Sequence, residues 1–215
     1  MKVKLVAITK PLVGDGNLTA SDFITFAARV SNPSNQMSLL TAPKLLAYCI
    51  KHGHWSIFEQ ASMTVEIVTS RAISAQIIRH RSFCFQEFSQ RYAASDAVEP
   101  IELRTQDLKN RQGSGDSFDQ DWAYDAVAKS VDTAMKTYRQ LLQEGVSRET
   151  ARMVLPLCTQ TTLYMTGNIR SWIHYLEQRC AKGTQLEHRR IAEAIREKIF
   201  AVEFPHIHAA LEEAK

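Results

Sequence analysis

The residues with the most chemistry lie between positions 76 and 92. Gln76, Arg79, His80 and Arg81 are followed by Gln86, Glu87, Ser89, Gln90, Arg91 and Tyr92, with Phe83, Phe85 and Phe88 interleaved. Guanidinium groups suit phosphate, while amide and hydroxyl groups suit a base and a ribose, so the mixture points to a nucleotide. Gln76, Arg79 and His80 are spaced i, i+3, i+4, which puts them on one helix face beside a stripe carrying Ile73 and Ile77. An isolated Arg-x-Arg reads most simply as a solvated face with salt bridges. Here the run continues into one carboxylate, a hydroxyl and further donors, and a half-buried guanidinium left unpaired is costly.

A second cluster spans residues 168–190. Each of the stretches 71–92 and 168–190 carries a local charge of +3, leaving 17 basic and 20 acidic residues elsewhere. Basic clusters on an otherwise acidic chain indicate a localised anionic ligand, and the net charge of +3 is too small to argue for nucleic acid. Asn168 and Arg179 fall on one face of a helix, and Arg170 and His174 form an i, i+4 pair on another. A helix polar on two faces that also carries Ile169, Trp172, Ile173 and Leu176 can touch two partners.

No Gly-x-Gly-x-x-Gly follows a strand and no phosphate-binding P-loop is present, so nucleotide binding would not use a glycine-rich cradle. His52/His54 and His206/His208 have metal-like spacing but no obvious third ligand, and no metal is expected. A solvated tail near Pro205 accounts for His206 and His208. The cysteines at 49, 84, 158 and 180 form no CxxC pair and read as reduced, partly buried side chains. Cys84 lies inside the first cluster, but the sequence fixes no base for it.

These groups need a scaffold. Val3–Ile8 and Met63–Val68 alternate as strands. A helix starting at Ser21-Asp22 has the apolar face Phe23, Phe26, Ala27 and Val30. Another begins at Pro43 and stops at Gly53. Residues 71–80 have helical spacing, while Phe83–Tyr92 fit no single pattern. Residues 93–117, with Pro100 and Gly113-Ser114-Gly115, form a long, partly mobile excursion. One long helix fills 117–144, and a short one runs from Arg148 to Leu155. A Thr-rich stretch, 159–166, leads to Asn168, which caps a helix to about Cys180; Thr184 caps another to about Phe204. Gly and Pro together make up 14 of 215 residues, so helices outweigh turn-rich β structure. The expectation is one α+β domain over residues 1–215, a small mostly antiparallel sheet packed against long helices. No apolar run approaches the ~20 residues of a membrane span and no secretory signal is visible, which gives a soluble, cytoplasmic protein without membrane or nucleic-acid partners.

Residues 79–92, Arg-His-Arg-Ser-Phe-Cys-Phe-Gln-Glu-Phe-Ser-Gln-Arg-Tyr, resemble the signature of flavin-dependent thymidylate synthases: Arg-His-Arg, seven residues, then Ser. His52-Gly53-His54 with Phe58-Glu59, Ala151-Arg152-x-Val154-Leu155-Pro156, and Asn168-x-Arg170 with Arg179 follow the family's order over roughly residues 20–200. The resemblance implies that Arg79, His80, Arg81 and Glu87 contact the flavin, with Arg79 also reaching the nucleotide. Gln76, Glu87, Ser89 and Arg91 would hold dUMP, completed by Arg152 and Arg179. Ser56, Asn168, Arg170 and His174 would contact FAD, and His54 would lie near the flavin and folate. The family is a homotetramer with active sites assembled from neighbouring subunits. Cys84 and Gln86 stand where a fuller pattern has Ser and Asn.

The implied reaction moves a one-carbon unit from 5,10-methylenetetrahydrofolate to C5 of dUMP, with hydride from reduced FAD and NADPH as reductant. Ser89 is then a binding residue and not a nucleophile, because its only evident base, His80, is needed by the flavin. Arg179 would activate the uracil electrostatically. A nucleotide- or RNA-binding module using the same patch, and a purely structural oligomer, are the competing readings; a bound yellow chromophore separates them.

Overall fold

The computed structural model describes residues 1–213. Four antiparallel strands form the central sheet in the order β1-β2-β6-β3: β1 (Lys2–Ile8), β2 (Ser62–Ser70), β6 (Gln160–Asn168) and β3 (Cys84–Glu87). β2 and β6 pair along their whole length, Ser62 opposite Asn168 and Ser70 opposite Gln160. Their alternation is the reason for a one-sided core: Met63, Val65, Ile67, Leu163 and Met165 are buried, while Thr64, Glu66, Tyr164 and Thr166 bond to one another across the other face. The Thr-rich stretch is therefore the strand that both β2 and β3 pair with.

Helices cover the apolar face. α1 (Ala20–Ala28) opens with a capping box between Thr19 and Asp22. Its buried residues are Ala20, Ser21, Ile24 and Thr25, and Val30 is exposed. The expected face of Phe23, Phe26, Ala27 and Val30 thus points away from the core, because the helix has two apolar stripes and Ile24 supplies the inner one. α2 (Ala42–Lys51) has Pro at its first turn and is closed by Gly53, whose φ of 69° is a left-handed conformation. α3 (Arg71–Ile77) follows β2 directly.

Residues 93–117 contain a hairpin, β4 (Arg104–Gln106) with β5 (Ser114–Ser117). It is fastened to the body by charge: Arg104 Nη2 lies 2.5 Å from Glu187, and Arg190 Nη1 lies 2.5 Å from Glu102. Short polar strands tied by ion pairs carry no hydrophobic periodicity. α4 (Asp121–Gln143) is the long helix, starting four residues later than expected, and α5 (Arg148–Ala151) continues as a 3₁₀ turn to Val154.

α6 (Ile169–Arg179) is capped by the Asn168 side chain, which accepts from the Ser171 N–H at 2.9 Å. α7 (Leu186–Ile195) begins after Gln185; Thr184 is not its cap, and donates instead to the Gln178 carbonyl. α7 runs through a π-helical segment, Arg196–Phe200, into α8 (Ala201–Glu203). After Pro205 the chain is not a solvated tail. α9 (Pro205–Glu213) buries Ile207 and Ala210 and packs on α2.

Candidate active site

α3 has barely two turns, so Gln76 is on the helix, while Arg79 and His80 lie in the turn after it. They do not share a helix face. The Arg79 and His80 N–H groups instead bond the Gln76 and Ile77 carbonyls at 3.4 and 3.1 Å, which folds the turn back beside Gln76. Phe83 anchors this turn: it is buried, edge-on to Trp172 with ring centroids 4.9 Å apart. A Cβ at position 167 would sit 2.5 Å from the Phe83 ring, so β6 needs glycine there for the aromatic side chain to seat.

The centre of the site is a contact between two motifs 99 residues apart: Arg179 Nε donates to His80 Nε2 at 2.8 Å. Arginine can only donate, so Nε2 of His80 is unprotonated and the ring proton is on Nδ1. Burial, then the charges of Arg179 and Arg79, push the His80 pKa down to about 4. His80 is neutral at physiological pH. The imidazole is thus a neutral partner that does not cancel the guanidinium charge, and the terminal nitrogens of Arg179 make no hydrogen bond among the described residues.

Behind His80 lies a cluster that the sequence reading missed. Tyr175 is edge-on to His80 with centroids 4.9 Å apart, and its hydroxyl is 3.1 Å from Nε2 of the fully buried His188. Nδ1 of His188 is 3.4 Å from Gln76 Oε1, and Gln76 Nε2 donates to Gln185 Oε1 at 2.6 Å. Burial and the charge of Arg179 push His188 down to about 3, while burial pushes the Tyr175 hydroxyl up. The available signal was periodicity, since His188 continues the buried stripe of Ile191 and Ile195.

Glu87, on β3, is heavily engaged: its Oε1 accepts from Arg71, Ser74 and Thr161 at 2.6, 2.7 and 3.0 Å. That fixes one carboxylate oxygen and leaves the other without a hydrogen bond among the described residues. Ser89 is half-buried and its Oγ accepts the Arg91 N–H at 3.4 Å. Arg91 reaches Glu149 at 3.3 Å, and Arg152 Nε donates to the Glu149 carbonyl at 3.3 Å, so these two arginines converge on α5. Arg79 and Arg81 are exposed and have no anionic partner among the described residues.

The remaining candidates gather at the other end of α6. Arg170 pairs with Glu59 at 2.6 Å, the His174 ring is 4.8 Å from Trp55, and exposed His54 precedes and exposed Ser56 lies within the same 3₁₀ turn, Trp55–Glu59. Asn168 is occupied as a cap. At 1.5 Å per residue, α6 separates Asn168 and Arg170 from Arg179 by roughly 15 Å, with His174 midway along it. Among the described residues no group of three His, Cys, Asp or Glu side chains is placed to hold a metal, and Cys84 is an exposed free thiol.

The α+β sheet-and-helix scaffold thus gathers cationic, neutral-imidazole and amide groups at one end of α6, a set whose chemistry suits an anionic ligand. The chain matches the family model described as thymidylate synthase complementing protein over residues 16–206. It is 52% identical, over 99% of both chains, to a Paramecium bursaria Chlorella virus 1 protein named "Probable flavin-dependent thymidylate synthase". It is 49% identical to the flavin-dependent thymidylate synthase of Synechocystis sp., over 99% of this chain and 100% of that one. The UMP/dUMP methylase PolB from Streptomyces cacaoi, solved with 5-Br dUMP, superposes with a TM-score of 0.83 at 28% identity, over 99% of this chain and 94% of that one. The chain belongs to the flavin-dependent thymidylate synthase family of enzymes.

Proposed function

We propose that this enzyme, with residues 1–215 acting as one domain, converts dUMP to dTMP using 5,10-methylenetetrahydrofolate as the one-carbon donor, with FAD as its flavin and NADPH as reductant. The residues present fit a dinucleotide: Arg79 and Arg81 are exposed guanidinium groups without an acid among the described residues, and His80 carries an N–H at Nδ1. With them, Ser56, Asn168, Arg170 and His174 would hold FAD, beside His54 in the flavin and folate region; Asn168 would do so by its unbonded amide nitrogen. When bound and reduced, FAD supplies the hydride that completes the methyl group.

The chain's own contribution to dUMP is orientation and charge. Gln76, Arg79, Glu87, Ser89, Arg91 and Arg152 bind it. Arg179, held from behind by neutral His80, places its free nitrogens at the uracil edge and favours loss of the proton at N3, which raises electron density at C5. Ser89 serves in binding. His80 is a poor base for it, since its Nε2 is already taken by Arg179 and its pKa lies near 4.

The observation that carries this reading is the 2.8 Å contact between Arg179 and His80. The two groups of candidate residues at opposite ends of α6 support a homotetramer in which neighbouring subunits complete each site. No helix among the described residues is long and apolar enough to cross a membrane; the enzyme proposed here is cytoplasmic and acts without membrane or nucleic-acid partners. Visible absorption during FAD titration, followed by dTMP formation from dUMP, tests the function; a protein that leaves the FAD spectrum unchanged contradicts it.

A further inference from the structure

A line of side-chain hydrogen bonds runs from the hairpin to the buried side of Arg179, and its direction is determined. Glu187 accepts from Arg104 Nη2 at 2.5 Å on one oxygen and from Gln185 Nε2 at 2.9 Å on the other. Burial opposes ionisation of this carboxyl, but the Arg104 and Gln185 hydrogen bonds outweigh it and hold its pKa below the ordinary value. An ionised carboxylate only accepts. Gln185 must therefore turn its amide nitrogen to Glu187 and its carbonyl oxygen to Gln76. Gln76 must in turn donate to that oxygen, at 2.6 Å, and face its own carbonyl towards Nδ1 of His188 at 3.4 Å. A carbonyl cannot donate, so His188 carries its proton on Nδ1. Its Nε2 is left to accept from the Tyr175 hydroxyl at 3.1 Å.

An aliphatic side chain would fill the position of His188 without the cost of burying a polar ring. What the histidine adds, while its Nε2 accepts from the buried Tyr175 hydroxyl, is an Nδ1 donor that matches only one of the two amide flips of Gln76; the other tautomer would strand the Tyr175 hydroxyl hydrogen without that acceptor. Gln76 is half-buried and, with these two bonds made, retains one amide hydrogen and one carbonyl lone pair. Flipping the amide would exchange donor and acceptor, and would put two donors face to face at His188 and two oxygens face to face at Gln185.

We propose that His188 is a positioning residue that locks the Gln76 amide, so that the site meets the pyrimidine with a fixed order of donor and acceptor. This rests on the reading of Gln76 as a dUMP-binding residue. A site wired in this way favours the nucleotide edge that matches it and leaves buried groups unpaired against one that does not.

The test compares His188→Leu with His188→Asn in the purified holoprotein, since the Asn amide can replace the Nδ1 donor. dUMP affinity is measured by calorimetry alongside KM and kcat, and ¹⁵N NMR of the unmutated protein reads the His188 tautomer. Loss of this hydrogen bond is expected to weaken dUMP binding about ten-fold in His188→Leu, with KM moving more than kcat, and His188→Asn should recover to within about three-fold. In a Gln76→Ala background His188→Leu should add less than about two-fold. Should His188→Leu fold poorly, Gln185→Ala breaks the same line from its exposed end and should also weaken dUMP. Equal affinity in both His188 variants, additive losses with Gln76→Ala, or a proton on Nε2 overturns the proposal. Unmutated holoprotein that binds no dUMP overturns the substrate reading as well, whereas normal binding with indifferent variants overturns the lock alone.

Discussion

α6 carries an arginine near each end, and the two are placed in opposite electrical circumstances. Arg170, in the first turn, lies 2.6 Å from the Glu59 carboxylate, and its charge is neutralised on the surface. Arg179, in the last turn, is bonded to a neutral imidazole, so the contact fixes its direction without cancelling its charge. Arg170 is bound into a surface ion pair with Glu59, which it would share with the FAD it is proposed to hold. Arg179 has no carboxylate partner among the described residues. A count of arginines cannot separate these cases; the partner decides.

The largest effect should follow from removing the cations without acidic partners. Replacing Arg79 and Arg81 together by Ala is expected to weaken FAD at least ~10-fold by spectral titration, since each charge-assisted hydrogen bond contributes about 1.5–3 kcal/mol. His80→Ala should likewise lose flavin, whereas His206→Ala, on α9, should retain it. Equal retention by the two histidine variants would break the contrast.

Acid should act next, through the two neutral histidines. His80 at about 4 and His188 at about 3 both lie below the ordinary value of 6.5. The unfolded chain therefore binds protons that the folded chain refuses. The stability these groups contribute is complete above pH ~6.5 and is lost as pH falls from there through about 4 for His80 and about 3 for His188, by about 1.4 kcal/mol per pH unit for buried His188. Denaturant titrations at pH 7 and pH 5 should show a smaller drop for His188→Asn than for the unmutated chain.

Gly167→Ala is expected to displace Phe83 and cost about 1–3 kcal/mol, with weakened flavin retention because the Arg-His-Arg turn moves with it. Arg170→Ala removes an exposed ion pair and should change stability by less than about 1 kcal/mol in the same titrations. A loss as large as that of Gly167→Ala would mean that the two ends of α6 are not different in kind.

Much of this was visible in the sequence wherever a local signal existed. Alternation gave β1 and β2, Pro43 and Gly53 bounded α2, and Asn168 capped α6 as expected. The Arg-His-Arg run and Gln76 also stood out as a polar cluster, although not on one helix face, and Arg179 joined them only through the family resemblance. The hairpin at 104–117 was not, since its strands are short and polar and are held by ion pairs to α7. The inward stripe of α1 was misjudged because two apolar faces competed. His188 and Tyr175 escaped notice for another reason: a buried polar network depends on which partners tertiary contact brings together, and nothing local distinguishes His188 from a residue packed in the core.

The most direct test of the account pairs Arg179→Ala with Ser89→Ala, each assayed for dTMP formation at saturating dUMP with bound flavin verified. Arg179→Ala should lose nearly all turnover, and Arg179→Lys should recover little of it, because a lysine lacks the planar fork that spans His80 and the nucleotide. Ser89→Ala should keep measurable turnover. A Ser89→Ala enzyme that binds dUMP and FAD normally yet is inactive, beside an Arg179→Ala enzyme that still turns over, would contradict the electrostatic role of Arg179 and return the chemistry to a serine nucleophile.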